Sequence, residues 1–138
     1  MKYLLDTNVV SHLRTPEKSR DLAAWLNDKS GDDLYLSVIA VGEIRKGIET
    51  VRPSDPAFAT DIETWLGALE RDYGDRIAPI DNRVAQAWGR MLATDPRYAI
   101  DTLLAATAFV HEMAVVTRNT KHFQARGVPV IDPFEPGH

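Results

Sequence analysis

The sequence predicts an α/β fold: a central parallel sheet flanked by helices. Two observations carry that expectation. Short apolar runs of strand length alternate along the chain with longer segments whose apolar residues recur at helical spacing, an order that favours parallel strands joined by crossover helices. The 138 residues, 44% of them hydrophobic, suffice for one substantial core, and no repeat, linker or low-complexity stretch divides them, so one domain over residues 1–138 is expected.

Tyr3-Leu4-Leu5 reads as a buried strand, ended by Asp6-Thr7-Asn8, whose side chains favour a strand end and the cap of a following helix. Leu22, Trp25 and Leu26 place a helix at about residues 18–30, which Gly31 stops. Leu34-Tyr35-Leu36 is a second strand. Ser37 then caps a helix with the stripe Val41, Ile44, Ile48 and Val51, ending before Pro53. Asp55-Pro56 pairs a capping carboxylate with proline at the first helical position, and Phe58, Ile62, Trp65, Leu66 and Leu69 trace one apolar face. Ile77 to Ile80 supply a brief strand. Asp81 caps a helix through Val84, Trp88, Met91 and Leu92, which Thr94-Asp95-Pro96 breaks. An alanine-rich helix from about Ile100 to His111 follows, then strands at Ala114–Thr117 and Val128–Ile131.

Composition removes several functions. Sixteen Lys and Arg against 20 Asp and Glu give a formal charge of −4, which argues against coating nucleic acid by bulk electrostatics; any such contact must be local. The absence of cysteine excludes disulfides, thiolate zinc sites and thiol catalysis, and is compatible with a reducing cytoplasm. The start meets Asp6 too early for a signal-peptide apolar region, and no run approaches the ~20 apolar residues of a membrane span. A soluble, cytoplasmic protein is expected.

Ligands of open parallel sheets bind at the carboxyl ends of the strands, and Asp6 leaves the first strand at that end. Glu43 lies on the helix after the second strand, off the face opposite Val41 and Ile48. Asp101 opens the alanine-rich helix, whose small Ala105, Ala106 and Ala108 allow close approach to the sheet. Singly, each has an ordinary explanation as a helix cap, a solvated helix former or a partner of the helix dipole. Together they would repel unless a hard divalent cation, Mg²⁺ or Mn²⁺, relieved the repulsion. Such an ion can orient a phosphodiester and activate water without a protein nucleophile.

Four segments in this order resemble the PIN-domain ribonucleases, specifically VapC-type toxins of bacterial type II toxin–antitoxin systems: Leu4–Val10, Val41–Ile48, Ile100–Ala108 and Val116–Asn119. The resemblance covers nearly the whole chain. It implies a three-layer sandwich, a homodimer, and Mg²⁺- or Mn²⁺-dependent cleavage of RNA. It also implies a small VapB-type antitoxin that blocks the site, with promoter DNA bound only through the toxin–antitoxin complex. Asp6, Glu43 and Asp101 match the family's acidic positions as metal ligands and catalytic groups. Thr7, Asn8 and Thr117 support them, and Asn119 stands at a fourth position.

That fourth position departs from the pattern, because many relatives carry an aspartate at Asn119 or three residues later, where this chain has His122. Three carboxylates carry about −3 rather than −4, which favours one tightly held ion, with Asn119 a weak or water-mediated ligand. His122 is a candidate base or phosphate contact, or simply a turn histidine. Arg118, Lys121 and Arg126 are candidates for a basic rim meeting RNA. His12, His111 and His138 lack zinc-site spacing and are assigned no chemistry. Trp25, Trp65 and Trp88 fall on apolar faces and are expected to pack in the core. The Phe58-Trp65-Leu69 stripe and the helix carrying Glu43 are candidate dimer or antitoxin contacts. Two alternatives remain open: a non-catalytic interaction module, and a phosphatase with an aspartate nucleophile. The phosphatase requires a second acid where Asn8 stands.

Overall fold

A computed structural model describes residues 1–136; His138 lies outside the described residues. The chain runs β1 (Lys2–Leu5), α1 (Thr7–His12), α2 (Arg20–Asn27), β2 (Leu34–Ser37), α3 (Val38–Val51), α4 (Pro56–Tyr73), β3 (Ile77–Ala78), α5 (Asn82–Thr94), α6 (Ala99–Val110), β4 (Met113–Val116) and β5 (Val130–Ile131), with short 3₁₀ turns between. The five strands form one sheet in the order β3-β2-β1-β4-β5, and every pairing is parallel.

Local signals set the boundaries. Asp6, Ser19, Ser37, Asp55 and Asp81 each cap a helix by accepting a backbone N–H, which satisfies donors that the first helical turn leaves without partners. The helix expected at about 18–30 is shorter, because Ser19 caps it and Pro16–Lys18 form a 3₁₀ turn. β3 stops after Ala78 rather than running to Ile80, since Pro79 has no N–H to give the ladder. β4 begins one residue earlier than expected and leaves Thr117 just beyond its end. The last strand is confined to Val130–Ile131.

Side-chain alternation along the strands divides the core between the two faces. Leu5 and Val116, adjacent in register, face α1 to α4 with Val9, Leu22, Leu36, Ile44, Ile48 and Leu66. Leu4 and Val115 face the other way, toward Leu104, Ala105, Ala108 and Phe123. Trp25 is buried, whereas Trp65 and Trp88 are only partly so, and Trp88 Nε1 donates to the Ala99 carbonyl at 2.9 Å. The small α6 residues seat that helix directly on the sheet: Ala105, Ala106 and Ala108 have no exposed surface. An Ala105→Leu substitution adds three carbons with no space to receive them. It should lower stability by about 1–3 kcal/mol in urea denaturation, and an unchanged midpoint would show slack beneath α6.

Candidate functional site

The strand order turns back between β1 and β4, because β1 leads away to β2 on one side while β4 lies on the other. Side chains leaving the carboxyl ends of these two strands therefore meet in one crevice. Asp6 leaves β1 there and is only 6% exposed. Its Oδ1 accepts from the Thr7 amide at 2.7 Å; its Oδ2 accepts from the Thr117 hydroxyl at 2.7 Å and Asn8 Nδ2 at 3.2 Å. Asn8 also spans to the far strand end, where its Oδ1 accepts from the Arg118 amide at 3.2 Å. Thr117 Oγ1 accepts in turn from the Asn119 amide at 2.9 Å.

The other two acids reach this crevice from separate elements. α3 carries an exposed Glu43, whose Oε1 accepts from the Thr7 hydroxyl at 2.5 Å. Asp101, in the first turn of α6, pairs through Oδ2 with His122 Nδ1 at 2.5 Å. Burial pushes the Asp6 carboxyl above its ordinary value; the Thr117 hydroxyl opposes the rise, and the charges of Asp101 and Glu43 add to it. Both of the other acids thus act on Asp6 electrostatically. Among the described residues, no three His, Cys, Asp or Glu side chains already stand arranged to hold one ion. Glu43 is turned to Thr7 and Asp101 to His122, so a shared ion would draw both carboxylates inward. As a donor set the residues fit a hard divalent cation, being all oxygen and anionic.

The remaining candidates divide. Asn119 is exposed, and its side chain makes no hydrogen bond among the described residues. Lys121 is exposed and precedes His122 in the chain. Arg118 is exposed too, with its guanidinium lying over the Phe134 ring at 3.8 Å. His122 is more than a turn histidine, since it pairs with Asp101 and stacks on Tyr98 with ring centroids 4.0 Å apart and planes 11° apart. Arg126 does not belong to a basic rim. It is buried, and its guanidinium donates to the carbonyls of Met91, Asp95 and Arg97 at 2.9–3.0 Å, which leaves no donor face for RNA. The Phe58-Trp65-Leu69 stripe is likewise broken up: Leu69 is core, while Phe58 and Trp65 line a groove of about 320 Å³ with Arg14, Ile62, Thr7 and Glu43.

Sequence reasoning missed Tyr98. Its φ of 56° is a backbone conformation that nothing in Pro96-Arg97-Tyr98-Ala99 announces.

The Asp6 shift fixes a sign. A carboxyl whose pKa is raised on folding supports the fold most below the ordinary carboxylate range, and loses that contribution as pH rises through its raised value. With metal removed by EDTA, Asp6→Asn should therefore melt above the wild type at neutral pH, and the gap should close in acid. A gap that persists unchanged at pH 3 would contradict the shift.

Comparison with known proteins identifies the family. The PIN-domain family model, "PIN domain", matches residues 3–128. The chain is 31% identical to "VapC ribonuclease Y4jK" of Sinorhizobium fredii over 96% of its own length and 98% of the relative's. It is 32% identical to "Toxin FitB" of Neisseria gonorrhoeae over 95% and 97%. The crystal structure of FitAcB from Neisseria gonorrhoeae superposes with a TM-score of 0.84, at 32% identity over 96% of this chain and 99% of that one. With its parallel sheet, its helices on both faces and a family match over most of its length, the chain belongs to the PIN-domain family.

Proposed function

We propose that this PIN domain is a divalent-metal-dependent endoribonuclease, the toxin of a toxin–antitoxin pair, with Asp6, Glu43 and Asp101 as its metal ligands. One observation carries the reading: a buried aspartate at the strand-order reversal feels the charge of two further carboxylates delivered by different helices. A structural helix cap has no need of that convergence, which costs stability. The ribonuclease and toxin names of the relatives support the same reading.

The chain's own residues have distinct tasks in it. Thr117 and Asn8 hold the Asp6 carboxylate so that it meets a cation without reorganising. Thr7 holds Glu43, and His122 holds Asp101, each by one hydrogen bond that can be exchanged for a ligand contact. The Asn119 side-chain oxygen is a neutral supplementary ligand, direct or through water. Lys121 and Arg118 meet the RNA backbone locally, which suits a protein of net charge −4. Mg²⁺ or Mn²⁺, when bound, supplies charge for the phosphodiester and a water acidic enough to attack it.

The partner in this proposal is a small antitoxin, and promoter DNA is engaged only through that complex. The groove lined by Phe58 and Trp65 opens beside Glu43 and Thr7, so a segment lying in it reaches the acids. A homodimer is part of the proposal, and sedimentation of the purified protein as a monomer would remove it. No helix among the described residues is long and apolar enough to cross a membrane.

Antitoxin-free protein incubated with structured RNA should cleave it in Mg²⁺ or Mn²⁺ and not in EDTA. Asp6→Ala, Glu43→Gln and Asp101→Asn should each lower kcat by about 100-fold or more, and Thr117→Val by about 10–100-fold as a group behind a ligand. Cleavage that survives Asp6→Ala or EDTA would sink the reading.

A further inference from the structure

Tyr98 sits at the mouth of the site in a conformation that costs energy. It is the residue before α6 with φ 56° and ψ 53°, left-handed backbone that a bulky side chain rarely adopts. It supplies no side-chain cap to the helix it precedes. Its residue remains 43% exposed, so core burial does not explain it either. Such strain persists only where the surroundings impose it.

Here they do. Three hydrogen bonds from the Arg126 guanidinium fix the carbonyls of Met91, Asp95 and Arg97, and the Thr102 hydroxyl adds a fourth to Arg97 at 3.3 Å. Asp95 receives both the Arg97 amide and its guanidinium at about 3 Å, closing the turn. The imposed conformation lays the Tyr98 ring flat over His122, the residue that pairs with Asp101. Arg97 also approaches the ring, its Cζ 5.6 Å from the centroid. An aromatic ring held against His122 on one face, in a residue that stays 43% exposed, therefore stands two residue contacts from a proposed metal ligand.

Single-stranded RNA is read by stacking splayed bases on such rings, and a ring already held in place loses little entropy in doing so. We propose that Tyr98 is a base-stacking residue, receiving on its ring the nucleobase next to the scissile phosphate. The inference rests on the ribonuclease reading above. It adds a determinant of where along an RNA the acids act, separate from the acids themselves.

The backbone supplies an unusually clean test. Asparagine is at home in left-handed backbone, so Tyr98→Asn removes the ring while relieving strain, and Tyr98→Gly does so by a second route. The substrate is a single-stranded RNA that the wild type cuts in Mg²⁺ at one mapped bond, together with versions carrying an abasic nucleotide on one side or the other of that bond. On one side, base removal should lower wild-type kcat/KM about tenfold or more, chiefly through KM. Tyr98→Asn should lose a similar factor on intact RNA and nothing further on the abasic one; Tyr98→Phe should behave as wild type. Both ring-deleted variants should melt at or above the wild-type temperature.

Unchanged kinetics in Tyr98→Asn would overturn the proposal. So would a loss in that variant with the full abasic penalty retained, since the ring would then act through His122 and Asp101 rather than on a base. A lower melting temperature in both variants would reduce Tyr98 to a packing residue. Failure of the wild type to cut any RNA tested in Mg²⁺ or Mn²⁺ is a different result: it removes the ribonuclease reading itself.

Discussion

The hydrogen bond from the Thr117 hydroxyl to Asp6 joins the carboxyl ends of β1 and β4 at 2.7 Å, and the rest of the site depends on it. These strands are neighbours in the sheet but lie 111 positions apart in sequence, so the bond closes the fold at the point where the strand order reverses. It also answers the cost of burying a carboxylate. An acid that is 6% exposed needs donors, and Thr117, Asn8 and the Thr7 amide supply them. Asn8 then binds the Arg118 amide, so the loops after both strands share one network. Because both loops are set by Asp6, so are the elements that approach it. Thr7 is the contact through which α3 delivers Glu43, and the loop after β4 carries His122 to Asp101.

Around this centre the fold carries two kinds of stored cost. One is electrostatic: burial above all, with the charges of Asp101 and Glu43 adding to it, presses the Asp6 carboxylate toward protonation, a penalty in stability that a ligand of opposite charge would reverse. The other is conformational, at Tyr98, held by a buried arginine whose own hydrogen bonds go entirely to backbone. Both of these costs lie at the same crevice, although left-handed backbone also occurs away from it, at Glu112 before β4 and at Ala125. Local conflict of this sort is expected where a chain is shaped for binding rather than for stability alone.

The sequence makes the architecture legible because its signals there are local. Asp6, Ser37, Asp55 and Asp81 announce helix starts through short-range capping, and the alanines of α6 announce close packing. Strand ends are less legible: Pro79 shortens β3 by a constraint written in the sequence, while the β4 boundary depends on pairing with Pro129 and Ile131. At the site, Asp6, Glu43 and Asp101 stand out because the segments that carry them resemble, in their order, those of the PIN-domain family. The role of Arg126 does not. Its partners are three carbonyls belonging to residues about 30 positions away, and backbone oxygens leave no mark on residue identity. The same long-range clasp makes Tyr98 left-handed, so both residues escaped together. His122 reads in the sequence as either a base or phosphate contact or a turn histidine, because its two partners, Tyr98 and Asp101, lie around the start of α6, far from it in the chain.

The central proposal is that Asp6, Glu43 and Asp101 hold one cation between them. Anomalous scattering from crystals of the protein grown with Mn²⁺ tests it most directly. The account predicts one strong peak bounded by carboxylate oxygens of Asp6, Glu43 and Asp101, with any second, weaker peak appearing only when RNA is bound. Mn²⁺ bound elsewhere with this crevice empty, or two full sites in the absence of RNA, would contradict it.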